Sequence, residues 1–214
     1  MVLGLLVLTS IPTVVGVAEA ISAQKQQNEQ MKDRIKFNLS ADSLGDQAFC
    51  VLADNQIFID HPAAPVLGYR FNGYFFTYPS EEKHMGLVSL ISDEPPMLNW
   101  LYADRDSGSV RYGGRADTLE QHIGPWGWCG DDEEFLTYKG CDVFLAVEQD
   151  EDTATSSDGS GGGDGKRSRR WSIHLHPKVI GLDGDMFKGR TGVQTRLRRH
   201  MALGVKSSFL KRDE

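Results

Sequence analysis

The chain has 214 residues, of which 40% are hydrophobic, 25% charged and 9% aromatic. This balance is that of a soluble globular protein of about one domain, and it excludes a wholly disordered chain, a collagen-like chain and a polytopic membrane protein. The net charge of −7 is divided unevenly: residues 1–165 carry 10 basic against 26 acidic side chains, net −16, and residues 166–214 carry 13 against 4, net +9. Such a split can mark a C-terminal segment that binds nucleic acid or another anionic surface.

The N-terminal segment allows three interpretations. Residues 1–18 contain no charged side chain, and residues 18–20 read Ala-Glu-Ala, which fits the cleavage site of a secretory signal peptide spanning residues 1–20. No Lys or Arg precedes the apolar run, however, Pro12 interrupts it, and a helical pattern continues past the cleavage site. The alternatives are therefore a retained segment that contacts a membrane surface through residues 1–18, or a helix packed on the domain. We assign residues 1–37 to this hydrophobic segment and its helix.

From Gln47 onward, short β-prone runs alternate with turn signals. Residues 49–60 predict a hairpin, because two such runs flank Asp54-Asn55, and both of these residues tolerate positive φ. Residues 73–78 and 86–91 predict two further strands.

A second hairpin is predicted at residues 99–115, where β-prone runs flank a turn-rich segment at residues 104–108. A bend rich in glycine and tryptophan follows at residues 124–130. Residues 135–138 and 142–147 predict two more strands.

The segment of residues 148–170 contains no large apolar side chain, so it predicts a flexible low-complexity loop. Strands resume at residues 171–176 and 193–201, where apolar and polar positions alternate with period two. The pattern as a whole predicts a mainly β fold, an antiparallel sandwich or small barrel, with one N-terminal α-helix and a disordered glycine-rich insert. The predicted β domain spans residues 38–147, is completed by residues 171–203, and is followed by a tail at residues 204–214.

Three stretches of the sequence resemble an uncharacterised family of small filamentous-fungal proteins. They are TSIPTVVGVAEAISAQKQQNEQMK near the start, PPMLNWLYADRDSGSVRYGGRADTLEQHIGPWGW at residues 95–128, and FLTYKGCDVFLAVE after it. The resemblance covers most of residues 5–148 and the strand at Trp171, but not the glycine-rich insert. It implies no established activity, cofactor or catalytic residue. It also implies that the N-terminal segment belongs to the native protein, which favours retention over cleavage.

Three cysteines make an odd count. In a secreted protein, Cys129 and Cys141 could form a disulfide across a hairpin and leave Cys50 free. In a cytosolic protein, all three are expected to be thiols. The spacing is a poor match to a zinc site.

Two sets of residues are candidates for binding. His174 and His176 lie two apart on one strand face and could hold a metal if a third ligand converges, although an ordinary polar strand face explains them as well. Aromatic side chains on a β scaffold are a common platform for a carbohydrate or peptide, and their alternative is a place in the core. The aromatic candidates are Tyr74, Trp100, Tyr102, Tyr112, Trp126 and Trp128.

The basic runs at residues 166–170 and 196–199 are accompanied by no recognised nucleic-acid fold, so nucleic-acid binding is disfavoured. Arg196 and Arg198 would share one strand face and could face the acidic part of the domain instead. No nucleophile–base, zinc-protease or phosphate-loop motif is found, and no cofactor is predicted.

We therefore predict a non-enzymatic β-rich interaction module for an unknown protein or small ligand, associated with a membrane through its N-terminal segment. One alternative is a secreted β protein that binds carbohydrate or hydrolyses a substrate. The other is a metal-dependent enzyme that uses His174 and His176.

Overall fold

The computed structural model describes residues 35–44, 48–93, 96–150, 169–182, 187, 189–202 and 209–210. The chain divides into two units, and every element below belongs to the second, Lys36–Glu214. The predicted N-terminal helix, the signal peptide and most of the glycine-rich insert lie outside the described residues. Within the described residues, no helix is long and apolar enough to cross a membrane.

The described part of the chain contains fifteen strands, joined by short turns. The first eight are β1 (Phe37–Ala41), β2 (Ala48–Ala53), β3 (Gln56–Asp60), β4 (Gly68–Arg70), β5 (Gly73–Thr77), β6 (Met85–Asp93), β7 (Pro96–Ala103) and β8 (Val110–Gly113). The others are β9 (Trp126–Cys129), β10 (Phe135–Tyr138), β11 (Phe144–Asp150), β12 (Arg169–Leu175), β13 (Gly192–Thr195), β14 (Leu197–Met201) and β15 (Phe209–Leu210). Three single-turn helices accompany them: two 3-10 helices, Asp42–Leu44 and Arg115–Thr118, and α1 (Pro177–Ile180).

Seven strands pair into a closed antiparallel ring in the order β1-β2-β3-β8-β7-β6-β5 and back to β1. The remaining strands extend this barrel. β12 pairs with β3, β11 with β12 and β13, and β14 joins β1 to the β9–β10 hairpin. The prediction of a mainly β fold is confirmed, and of its two architectures the structure shows the small barrel.

Both predicted hairpins are present. Asp54 and Asn55 form the two-residue turn between β2 and β3, with φ of 46° and 58°. This is the left-handed backbone that a tight turn with the twist of the flanking strands requires. β7 and β8 form the second hairpin, as the turn signals at residues 104–108 predicted.

The interior of the barrel is filled by alternate side chains of its strands. Cys50 and Leu52 of β2 and Ile57 and Ile59 of β3 are all at most 2% exposed and belong to the main hydrophobic cluster. The side chains between them point to the other face, where Phe58 packs in a second cluster. The period-two pattern of a strand therefore supplies apolar contacts on both faces here.

Residues 148–150 and 169–170 of the predicted flexible loop belong to the strands β11 and β12. Three further local predictions differ from the structure. The single strand predicted at residues 193–201 is two strands, because the chain changes partners at Arg196: β13 pairs with β11, and β14 pairs with β1. The bend at residues 124–130 contains β9. The C-terminal tail contributes β15, which pairs with β4.

Arg198 of β14 and Arg196, which directly precedes this strand, both face acidic side chains, one of the two possibilities that the sequence left open. Arg196 forms an ion pair with Asp142 (Nε–Oδ2 2.7 Å), and Arg198 forms ion pairs with Asp42 and Glu134. Both guanidinium groups also lie over the ring of Phe135, at 3.4 and 4.6 Å from its centroid. Cation–π contacts and charge pairs therefore act together at both arginines.

We expect these pairs to make stability depend on salt. The unfolding midpoint of the protein should fall between low salt and roughly 0.5 M sodium chloride, since salt screens partly exposed ion pairs. Arg198→Met should reduce that dependence, whereas Lys178→Met, which removes a positive charge from an exposed position on α1, should not. Equal salt dependence in all three proteins, followed by thermal unfolding, would contradict this role of β14.

We also expect the barrel to require a glycine at position 73. A Cβ there would meet the carbonyl oxygen of Val88 and the ring of Phe71, whereas a Cβ on Gly192 would meet nothing within 4 Å. Gly73→Ala should lower the free energy of unfolding by about 1–3 kcal/mol, as overpacking does. Gly192→Ala should leave it nearly unchanged. Denaturant unfolding of both variants measures the difference, and an equal effect would argue against the close approach at Gly73.

Candidate functional site

A polar cavity of about 590 Å³ lies beside the end of the barrel strands β3 and β8. We call it the arginine cavity. Its lining is almost entirely polar and consists of Gln56, Ser107, Ser109, Arg111, Glu148, Gln149, Arg169, His174, Gly189, Arg190 and Thr191.

Separate segments of the chain bring these residues together. Arg111 of β8 lies opposite Gln56 of β3 in the sheet. The turn at residues 104–109 packs on β12, where Ser109 bridges to His174 and the amide of Leu175 donates to Gly108. β11 and β13 complete the lining from the other side.

The turn at residues 104–109 is closed by Asp104. The carboxylate of Asp104 accepts from the backbone amide of Ser107 at 2.9 Å and from its hydroxyl at 2.6 Å. Burial raises the pKa of Asp104, but the hydrogen bonds from Ser107 and the charge of Arg111 outweigh this effect and lower it. Asp104 therefore stays ionised and holds the turn that carries Ser107 and Ser109 to the cavity.

His174 lies at the base of the cavity and is 3% exposed. Its Nδ1 is 3.1 Å from the carbonyl oxygen of Ser107, and its Nε2 is 3.0 Å from the hydroxyl of Ser172. A carbonyl can only accept, so Nδ1 carries the proton, and Nε2 of the neutral ring can only accept. The single proton of the Ser172 hydroxyl is shared between two acceptors, Nε2 at 3.0 Å and the carbonyl oxygen of Val147 at 3.2 Å. Burial lowers the pKa of His174 to about 4, and the nearby Arg190 and Arg111 lower it as well. His174 is thus neutral, and its hydrogen bond to Ser107 holds the turn at residues 104–109 against β12.

The cavity is positively charged in an acidic protein. Three arginines against one glutamate give its lining a net charge of +2 while His174 is neutral. Arg169 pairs with Glu148 at 3.1 Å, and Arg111 lies 3.8 Å from Asp104. Two buried polar atoms, Ser109 Oγ and Arg111 Nε, have no hydrogen-bond partner in the described part of the chain. Such atoms favour a ligand that offers acceptor oxygens.

The aromatic residues predicted as a binding platform do not share one exposed face. Trp100, Tyr102 and Trp126 are at most 7% exposed. The other three are half-buried and pack against the hydrophobic clusters. These are Tyr74, Tyr112 and Trp128, and none of the six predicted aromatics lines the arginine cavity.

The predicted histidine pair is separated by its contacts. His174 is buried at the cavity, whereas His176 lies past the end of β12, and its Nδ1 accepts from the backbone amide of Lys178 at the start of α1. Across the residues that the structure describes, no group of three His, Cys, Asp or Glu side chains could hold a metal ion.

The predicted disulfide is not formed. Cys129 and Cys141 are both free cysteines. Cys129 pairs with Phe135 at one end of β10, and Cys141 bridges to Tyr138 at the other end. Three residues of strand place these positions roughly 10 Å apart, which is beyond the reach of a disulfide. Cys50 is fully buried, and burial raises the pKa of its thiol to about 12.

The cavity itself was not predicted from the sequence. Arg111, Glu148 and Arg190 are far apart along the chain and form no motif. The one available signal was the hairpin at residues 99–115, in which Ser109 and Arg111 lie two apart and therefore on the same strand face.

A family model for the fungal beta-trefoil domain matches residues 16–202 of the chain. The chain belongs to this family. The match agrees with the predicted resemblance to an uncharacterised fungal family. Comparisons with curated proteins and with solved structures gave no match. Beta-trefoil domains commonly bind ligands, carbohydrates or proteins.

The protonation of His174 gives a prediction about stability and pH. Its folded pKa of about 4 lies below the ordinary value of 6.5, so the unfolded chain binds the proton more readily. Protonation of His174 therefore does not reduce the free energy of unfolding above pH 6.5. As the pH falls toward 4, it lowers that free energy by at most about 3 kcal/mol.

His174→Gln removes this titration and keeps a side chain that can hydrogen-bond. Between about pH 7 and pH 4.5, the variant should lose less stability than the natural protein, while other groups titrate alike in both. Urea unfolding at several pH values measures the difference. Parallel curves would show that His174 does not titrate in this way.

Proposed function

We propose that this fungal beta-trefoil domain is a binding module for a small anionic ligand that carries a phosphate or sulfate group, and that the arginine cavity is its site. The observation that carries the proposal is the Nε of Arg111. It is buried, makes no hydrogen bond to the described residues and lies 3.8 Å from Oδ2 of Asp104, in a cavity whose lining has a net charge of +2.

The charge and geometry of guanidinium groups support an anion of this class. Guanidinium donors match the oxygens of phosphate and sulfate in pairs, and a charge-assisted hydrogen bond is stronger than a neutral one. Arg111 and Arg190 contribute charge from two sides of the cavity, and Gln56 and Thr191 add neutral polar groups. The ligand would also satisfy buried atoms that cost free energy when they are left unpaired.

Binding without chemistry fits the state of the histidine. A general base needs a ring nitrogen within reach of the reacting group. Both nitrogens of His174 are engaged by protein groups, the carbonyl of Ser107 and the hydroxyl of Ser172. The cavity therefore offers fixed positive charge and hydrogen bonds rather than a proton-transfer group.

Titration of the full-length protein with inorganic phosphate tests the proposal. We expect phosphate and sulfate to bind and to raise the unfolding midpoint, as a ligand of the folded state does. Arg111→Met should weaken phosphate binding by about tenfold, the loss of one hydrogen bond to a charged group. Arg105→Met is the matched control, since Arg105 is exposed in the turn just before β8 and does not line the cavity.

Isothermal titration calorimetry distinguishes the outcomes. Phosphate binding that survives Arg111→Met, or that is lost equally in Arg105→Met, would place the anion elsewhere. Glucose binding in the absence of phosphate binding would favour the carbohydrate alternative over an anionic ligand.

A further inference from the structure

A second hollow, of about 410 Å³, lies where three loops meet. We call it the tyrosine pocket. It is lined from residues 78–84, from residues 121–125 and from Tyr138 and Lys139. It shares no lining residue with the arginine cavity.

Two buried hydroxyl groups in this pocket lack hydrogen-bond partners within the described residues, Ser80 Oγ and Tyr138 Oη. Tyr138 is 1% exposed, and burial raises the pKa of its phenol to about 12, so the phenol keeps its proton and can donate. By contrast, the hydroxyl of Tyr78 in the same pocket is paired with Thr118 at 2.8 Å. An unpaired buried hydroxyl costs roughly 1–3 kcal/mol, which an acceptor on a ligand would recover.

The pocket combines an apolar wall with the cation of Lys139 and the carboxylate of Glu82, which is paired with His84. The ammonium group of Lys139 lies 5.6 Å from the ring centroid of Tyr138. Ile123 and Pro125 supply the apolar surface. His84 is paired with Glu82, and burial lowers the pKa of His122, as does the charge of Lys139.

The loops around the pocket hold unusual backbone conformations. Lys83, Glu120 and Lys139 have φ of 47°, 63° and 50°, in the left-handed region that residues other than glycine rarely adopt. Lys139 lines the pocket, and Lys83 and Glu120 adjoin residues that line it. Backbone of this kind is retained where the surrounding structure fixes it, and it concentrates at ligand sites.

We propose that the tyrosine pocket binds a small carboxylate with an apolar body, such as an aromatic monocarboxylic acid. The carboxylate would accept from the hydroxyls of Tyr138 and Ser80 and lie near the ammonium of Lys139. The apolar body would pack on Ile123 and Pro125. Small-molecule sites typically combine apolar surface with a few polar groups that fix the orientation of the ligand.

Titration of the full-length protein with benzoate tests this site independently of the phosphate site. The ring of Trp126 lies 5.0 Å from that of Tyr138, so tryptophan fluorescence can report binding alongside calorimetry. Benzoate should bind, and benzamide, which has the same shape without the charge, should bind at least about fivefold more weakly.

Two substitutions test whether the hydroxyls of Tyr138 and Ser80 bind the carboxylate of benzoate. Tyr138→Phe keeps the ring and removes only the hydroxyl, so it should weaken benzoate binding by about three- to tenfold without lowering the unfolding midpoint. Ser80→Ala gives a second test that leaves the core unchanged. Arg111→Met, in the arginine cavity, should leave benzoate binding intact.

Three results would overturn the proposal. They are no benzoate binding up to roughly 10 mM, benzamide binding as tightly as benzoate, and benzoate binding that Tyr138→Phe and Ser80→Ala leave unchanged. Benzoate can bind even if phosphate does not, so the two proposed sites are tested independently.

Discussion

The barrel depends on β1, a strand of five residues that closes it. β1 pairs with β2 through Ser40 and Ala41, and with β5 through Phe37. A ring closed in this way leaves no unpaired edge among its seven strands. The neighbouring pair β5–β6 brings Gly73 close to the carbonyl oxygen of Val88, so a side chain at position 73 would be costly. All five residues of β1 also pair with β14. The strands that extend the barrel toward β10 are therefore connected to it through the same short strand.

The uneven charge of the sequence is largely balanced inside the domain. The basic half supplies Arg196 and Arg198, which meet acidic side chains from the other half, and Arg170 pairs with Asp54 across the sheet at 2.7 Å. These arginines are therefore paired with carboxylates of the same domain. The arginine cavity differs because its cations exceed its carboxylates, so positive charge is concentrated at one place in a protein of net charge −7. Local surplus rather than overall charge marks the candidate site.

Local sequence signals predicted the hairpins. The partners of the other strands and the lining of the arginine cavity depend on long-range pairing. Asp54-Asn55 specifies its turn because both residues accept positive φ, a property of the residues themselves. The alternation at residues 193–201 predicted strand correctly but could not show that the chain changes partners at Arg196. The closing strand β1 was not predicted as a strand, since its pairing with β14 spans some 160 residues of sequence. The arginine cavity was missed for the same reason: its lining comes from segments that only the fold brings together.

The neutral histidine explains how the arginine cavity can hold so much positive charge. The turn at residues 104–109 must be fixed to β12 for Ser109 and Arg111 to line the cavity together. A charged group at position 174 could make the same hydrogen bond to Ser107, but it would add to the repulsion between Arg111 and Arg190. An imidazole that stays neutral ties Ser107 to Ser172 without that repulsion. The neutral imidazole of His174 therefore holds the turn in place without adding to the positive charge of the arginines that line the cavity.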